Sequence, residues 1–255
     1  DAMSGDLGSQ IVVDACLSFL QKNTTDELYV VGKIKELQAL KDYRQVTLVD
    51  AREILEMTEN ILAIRRKKES SIVKAIMWAR KGEVDGVLSC GNNGAYYASA
   101  MLFLKRIEGV EKSCLMAILP TYNGKGVAML DVGANAENTA EQLKSFAVMG
   151  NVYAKHVRHI DNPKVALLNI GSEDHKGDEV HKETYQMLKE MKDIHFVGNI
   201  EGKELLNGDV DVIVTDGFTG NVALKTVEGV AGILMKSLKD AYLSSSRTKL
   251  GAMIS

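Results

Sequence analysis

Short apolar runs rich in β-branched residues recur at residues 28–31, 46–49, 84–88, 114–119, 127–130, 165–170, 195–197 and 210–214. They read as buried strands. Between most of them lie longer stretches with apolar positions three or four apart, at 11–21, 70–81, 95–105, 140–156, 179–191 and 222–243, which predict helices. Strand alternating with helix implies a mostly parallel sheet covered on both faces, because parallel strands need crossover connections. The pattern predicts one doubly wound α/β unit over residues 1–255, either undivided or cleft into two lobes, with no repeat or low-complexity linker to mark a boundary. The 222–243 helix carries Leu224, Val227, Val230, Ala231, Leu234, Leu238 and Ala241 on one stripe, read as packing in the core or in a dimer.

Composition narrows the function. Of 255 residues, 31 are basic and 34 acidic, a net charge of −3 that excludes a strongly basic nucleic-acid binder. Apolar residues at 45% and charged ones at 25% are globular values. Cys16, Cys90 and Cys114 lie far apart with no paired motif, which removes a zinc ribbon and a disulfide framework and fits a reducing cytoplasm. Charges interrupt every apolar run before the ~20 residues that a membrane-spanning helix needs.

In open α/β sheets, ligands bind where strands end and helices begin. Three such junctions are rich in glycine and asparagine: Ser89-Cys90-Gly91-Asn92-Asn93-Gly94, Asp131-Val132-Gly133-Ala134-Asn135 and Thr215-Asp216-Gly217-Phe218-Thr219-Gly220-Asn221. A fourth, from Asn169 to Gly177, adds charge. Backbone close approach and neutral donors suit phosphate or another oxyanion. No Walker loop, dinucleotide fingerprint or nucleophile elbow occurs. His156, His159, His175, His181 and His195 fall in no ligand or catalytic motif and are weak candidates for a base. The run Arg65-Arg66-Lys67-Lys68 is either a solvated face or a dock for an acidic partner.

In their order along the chain, Asp1-Ala2-Met3, Gly5-Asp6, Arg65 to Lys68 with Ser70-Ser71, Gly91-Asn92 with Gly94-Ala95, Leu130 to Asn135, Gly198-Asn199 and Thr215 to Asn221 resemble the PlsX family of phosphate acyltransferases. The resemblance covers nearly the whole chain, and the stretch from Val214 to Lys225 is its most specific part. It implies a three-layer α/β/α sandwich similar to the isocitrate and isopropylmalate dehydrogenases and phosphotransacetylase. It also implies a single domain over 1–255 that lacks the family's extreme N-terminus and glycine-rich C-terminal segment. Ser4, Leu7, Gly8 and Ser9 stand where the family has Gly, His, Ala and Pro, and Thr139-Ala140-Glu141-Gln142 replaces Lys-Pro-Glu-His.

The implied reaction moves a long-chain acyl group from acyl carrier protein to inorganic phosphate, giving an acyl phosphate for phospholipid synthesis, with no cofactor and no metal. Lys176 matches the family's catalytic lysine, and Asn221, read as opening the 222–243 helix, matches its asparagine. Gly91, Asn92, Gly94, Asn135, Asp216 and Thr219 are placed around phosphate and thioester, while Asp131 and Asp216 are expected to hydrogen-bond loop amides. Arg65, Arg66, Lys67 and Lys68 are the expected dock for the acidic carrier protein. Leu250, Met253 and Ile254 are the expected membrane contact of a cytoplasmic, peripherally membrane-associated homodimer. Two alternatives remain at this level: a phosphotransacetylase-like enzyme using acyl-coenzyme A, and a non-catalytic scaffold at the membrane.

Overall fold

The computed structural model describes residues 1–56 and 61–244. The chain forms two compact units, Asp1–Glu108 and Gly109–Ser255, where the sequence pattern showed no boundary. The residues joining them, Lys105 to Glu111, mix charge with two apolar positions and lack the Pro or Ser content that marks a linker.

In the first unit, helix α1 (Gly8–Leu20) precedes the parallel pair β1 (Leu28–Gly32) and β2 (Val46–Asp50). Ala2, Val13, Val30, Leu37 and Leu40 pack together beneath them. Helices α2 (Ser71–Arg80) and α3 (Asn93–Phe103) bury a second cluster that includes Leu55, Ile64, Ile72, Ile76 and Ala95. The run 84–88, expected as a strand, joins no strand ladder among the described residues. A cavity of about 670 Å³ lies between it and β1, with Asp1, Cys16, Phe19 and Trp78 among its walls, and its carbonyls are met singly instead, that of Leu88 by the Asp1 amine at 2.9 Å and that of Val87 by the Tyr96 hydroxyl at 2.8 Å.

The second unit holds β3 (Met116–Leu119), β4 (Val127–Leu130), α4 (Ala140–His156), β5 (Lys164–Asn169), α5 (Glu179–Glu190), β6 (His195–Glu201), β7 (Val212–Val214) and α6 (Gly217–Leu243). The strand order is β3-β4-β7-β5-β6, all parallel except β3 against β4. Val212 sits between Ala128 and Val165, and Val214 between Leu130 and Leu167, so β4 and β7 end level and β5 runs two residues further at the same edge. Alternate residues face opposite sides. Ala128, Leu130, Val165, Leu167, Val212 and Val214 meet Leu143, Phe146 and Ala147 of α4 and Leu188 of α5. Met129, Ala166, Leu168 and Ile213 face the other way, with Ala223 and Leu224 of α6 against them.

Helix α4 keeps its expected bounds because its start is specified twice. Thr139 accepts from the Gln142 amide while the Gln142 side chain accepts from the Thr139 amide, closing a capping box. Its buried stripe, Ala140, Leu143, Phe146, Ala147, Gly150 and Ala154, has the helical period. Helix α6 differs from expectation. It starts at Gly217, so Asn221 lies in its second turn and Asp216 is the cap. The apolar stripe, expected to pack in the core or in a dimer, is half-buried at Leu224 and Val227, whereas Val230, Leu234 and Leu238 are more than half exposed. No helix of the described residues is long and apolar enough to cross a membrane.

Candidate active site

The neighbouring, parallel ends of β4, β7 and β5 bring three junctions to one edge of the sheet of the second unit. Asp131, fully buried, organises the first. Its Oδ1 accepts from the amides of Leu115 (3.0 Å), Gly133 (3.1 Å) and Ala134 (2.9 Å), and its Oδ2 from the Asn135 amide (2.9 Å) and Asn135 Nδ2 (2.7 Å). Five donors around one carboxylate give it the amide-binding role expected from sequence. Asn135 Nδ2 also donates to the Ser113 carbonyl at 2.8 Å, so both hydrogens of its side-chain amide are engaged within the protein. Asn135 therefore belongs to the frame of the site. Next to it, burial and then the Asp131 charge push the Cys114 thiol up to about 12.

The start of α6 docks directly on this loop. A Cβ on Gly217 would overlap the Asn135 carbonyl oxygen, and one on Gly220 the Asp131 carbonyl oxygen. Only glycine permits this approach. Asp216 Oδ1 accepts from the Thr219 amide at 2.8 Å, capping the helix. Thr219 and Asn221 are exposed on the opening turns, and a side chain on Gly133 would come within 3.3 Å of the Asn221 amide carbon.

The third junction carries Lys176, and two buried asparagines hold its backbone. Asn169 Nδ2 donates to the Lys176 carbonyl at 3.0 Å, and Asn199 Nδ2, from β6, to the Glu173 carbonyl at 2.8 Å. Gly177, at φ +87°, lies where a Cβ would come within 2.8 Å of His181 Cβ. No hydrogen bond or ion pair among the described residues engages the Lys176 ammonium. His181, set aside in the sequence, joins the second and third junctions: its Nδ1 is 2.7 Å from Asp178 Oδ1 and its Nε2 3.9 Å from Asp216 Oδ2. Burial pushes the Asp178 carboxyl up, but hydrogen bonds from the His181 amide and ring, the His181 charge and the Val180 amide outweigh it and hold the group below its ordinary value.

The remaining expected residues belong to the first unit or lie outside the described residues. Gly91, Asn92 and Gly94 form the turn before α3 in the first unit, where Asn92 Oδ1 caps the helix by accepting from the Ala95 amide at 3.0 Å. Gly91 is packed against Ser4, and Ser89 Oγ donates to Asp1 Oδ2 at 2.7 Å. Of the basic run, Arg65, Arg66 and Lys68 are exposed, whereas Lys67 is partly buried and donates to the Ile54 carbonyl at 2.8 Å. Its ammonium thus has a structural partner, unlike a purely solvated docking cation. Leu250, Met253 and Ile254 lie outside the described residues.

The fatty acid synthesis protein family matches the chain over residues 1–255. The chain belongs to this family, the PlsX phosphate acyltransferases. A phosphate acyltransferase of Exiguobacterium sibiricum is 45% identical over 258 residues, covering all of this chain and 78% of that protein. One from Lactococcus lactis subsp. lactis is 43% identical over 259 residues, with the same coverage. Membership makes the protein an acyltransferase of fatty acid synthesis, with phosphate as acceptor. A phosphotransacetylase from Streptococcus pyogenes superposes with a TM-score of 0.58 at 14% identity, covering 87% of this chain and 86% of that one. That likeness is one of fold, a mixed α/β architecture around a mostly parallel sheet, as the sequence pattern implied.

Proposed function

We propose that the protein moves a long-chain fatty acyl group from acyl carrier protein to inorganic phosphate, giving an acyl phosphate that feeds phosphatidic acid synthesis. One observation carries the reading for the site: the Lys176 ammonium, engaged by no hydrogen bond or ion pair among the described residues, stands on a braced loop whose neighbour His181 comes within 3.9 Å of the Asp216 carboxylate at the start of a 27-residue helix. That helix start presents the exposed side chains of Thr219 and Asn221.

Phosphate is already an anionic nucleophile, so no covalent enzyme intermediate is required. A phosphate oxygen attacks the thioester carbonyl carbon, forming a C–O bond and placing negative charge on the carbonyl oxygen. The intermediate collapses with cleavage of the C–S bond, and the carrier thiolate leaves and takes a proton from solvent. Lys176 draws in phosphate and offsets the developing oxyanion, Asn221 donates its side-chain N–H, and Thr219 contributes a hydroxyl. Asp216 is itself an anion and acts through the helix it caps. Asp131 and Asn135 hold the frame.

The same reading assigns carrier docking to Arg65, Arg66 and Lys68, peripheral membrane contact to Leu250, Met253 and Ile254, and a homodimer interface to the exposed apolar face of α6. Acyl phosphate formation from palmitoyl carrier protein, followed by mass spectrometry, tests the core of it. Wild type forms the product, and Lys176→Ala forms it on the order of 10²- to 10³-fold more slowly. Equal rates in the two proteins would remove Lys176 from the mechanism. Faster turnover of palmitoyl-coenzyme A than of the carrier thioester would replace the proposed donor.

A further inference from the structure

Helices α5 and α6 each begin on a carboxylate, Asp178 for one and Asp216 for the other. Asp178 follows Lys176 by two residues, and Asp216 opens the turn that carries Thr219 and Asn221. Two anions facing each other at neighbouring helix starts repel. The imidazole of His181, its side chain only 15% exposed, fills the space between them. Its two nitrogens point to opposite partners: Nδ1 lies 2.7 Å from Asp178 Oδ1 and Nε2 3.9 Å from Asp216 Oδ2.

The contact on the Asp178 side is doubled, because the same Oδ1 also accepts the His181 backbone amide at 2.9 Å. His181 is thereby fixed to the junction that bears Lys176, and its Cβ rests against Gly177. The other nitrogen meets the carboxylate that fixes the first turn of α6. Lys182, the neighbouring cation on α5, pairs with Glu179 at 2.8 Å instead.

We propose that His181 is a positioning residue that sets the spacing between the Lys176 loop and the opening turn of α6, so that one bound oxyanion engages both. It touches neither phosphate nor thioester and acts through Asp178 and Asp216. The proposal rests on acyl transfer to phosphate at this site. It assigns to His181 an effect on phosphate capture more than on the chemical step, because misplacing half of a two-sided anion site weakens binding before it changes the reactivity of what is bound.

The test compares wild type with His181→Leu, which fills the space without a donor, and His181→Gln, whose amide restores one. Turnover is measured across phosphate concentrations with palmitoyl carrier protein, and phosphate binding is followed separately by ³¹P NMR without any acyl donor. The expected result is a KM for phosphate raised about tenfold in the leucine variant with kcat changed less than about threefold, and most of the loss recovered by glutamine. Binding of phosphate alone should follow the same order. Wild-type kinetics in the leucine variant, or a glutamine variant no better than leucine, would overturn the inference while leaving the proposed reaction standing. Phosphate binding that follows the expected order in a wild type unable to transfer the acyl group would sustain His181 and overturn the reaction. A wild type that neither transfers nor binds phosphate would overturn both.

Discussion

Asp131 shows how much one buried side chain can decide. In Asp131→Asn an amide N–H₂ replaces one of two oxygens that together receive five donors, so buried N–H groups face another donor. A loss of about 3 kcal/mol in unfolding free energy by urea titration is expected. Beside it, Cys114 stays a neutral thiol at ordinary pH because its pKa stands at about 12. Iodoacetamide at pH 8 should label exposed Cys90 and leave Cys114 unmodified, as read by peptide mass spectrometry. Since folding raises this thiol from 9.0 to about 12, the unfolded chain releases its proton first, and the group lowers stability as pH rises through that window. The sequence displayed Lys176, Asn221 and Asp216 through motifs, but it hid His181. Its neighbour Asp216 lies on a different helix start, so only the pairing of β5 with β7 brings the two together. Lys67 was equally opaque, because its acceptor is a backbone carbonyl, that of Ile54, which leaves no trace in residue type.

At the scale of elements, α6 is the instructive case. Gly217 and Gly220 read as turn residues by propensity, and this delayed the expected helix start. In the structure they are helical, on the Asp216 cap, and they are glycine because any Cβ there would strike the 131–135 loop. Gly220→Ala should therefore destabilise the protein by about 1–3 kcal/mol despite the better helix propensity of alanine, measurable by thermal unfolding. Asn221, in the second turn, carries no capping duty, so Asn221→Asp tests donation to phosphate without disturbing the cap. Activity should fall on the order of 10²-fold with an unchanged circular dichroism spectrum, and unimpaired turnover would exclude the side chain. Helix α4 was legible to the residue because cap and periodicity agree, whereas the 84–88 run shows the reverse. Its composition is that of a strand, yet a strand exists only where another backbone lies alongside, and that depends on the rest of the fold.

For the whole molecule, the exposed face of α6 is the feature that asks for a partner. Val230, Leu234 and Leu238, four residues apart on one face, are 51%, 58% and 51% exposed, an apolar stripe of the kind that soluble chains usually cover. Sedimentation should find a dimer in wild type and a monomer in Leu234→Glu, and an unchanged mass in the variant would place the interface elsewhere. The alternation of strand and helix was enough to predict a parallel sheet, but not its order, since hydrophobic pattern marks which residues are inside and says nothing of which strand lies beside which. That order has a consequence for how the molecule is made. β7, at the centre of the five strands, is the last of them in the chain, and both β4 and β5 pair with it. While the protein is being synthesised, the β3–β4 and β5–β6 pairs must each wait with an open inner edge, on β4 and on β5, until Val214 has left the ribosome, so the five-stranded sheet closes late, by the joining of two halves.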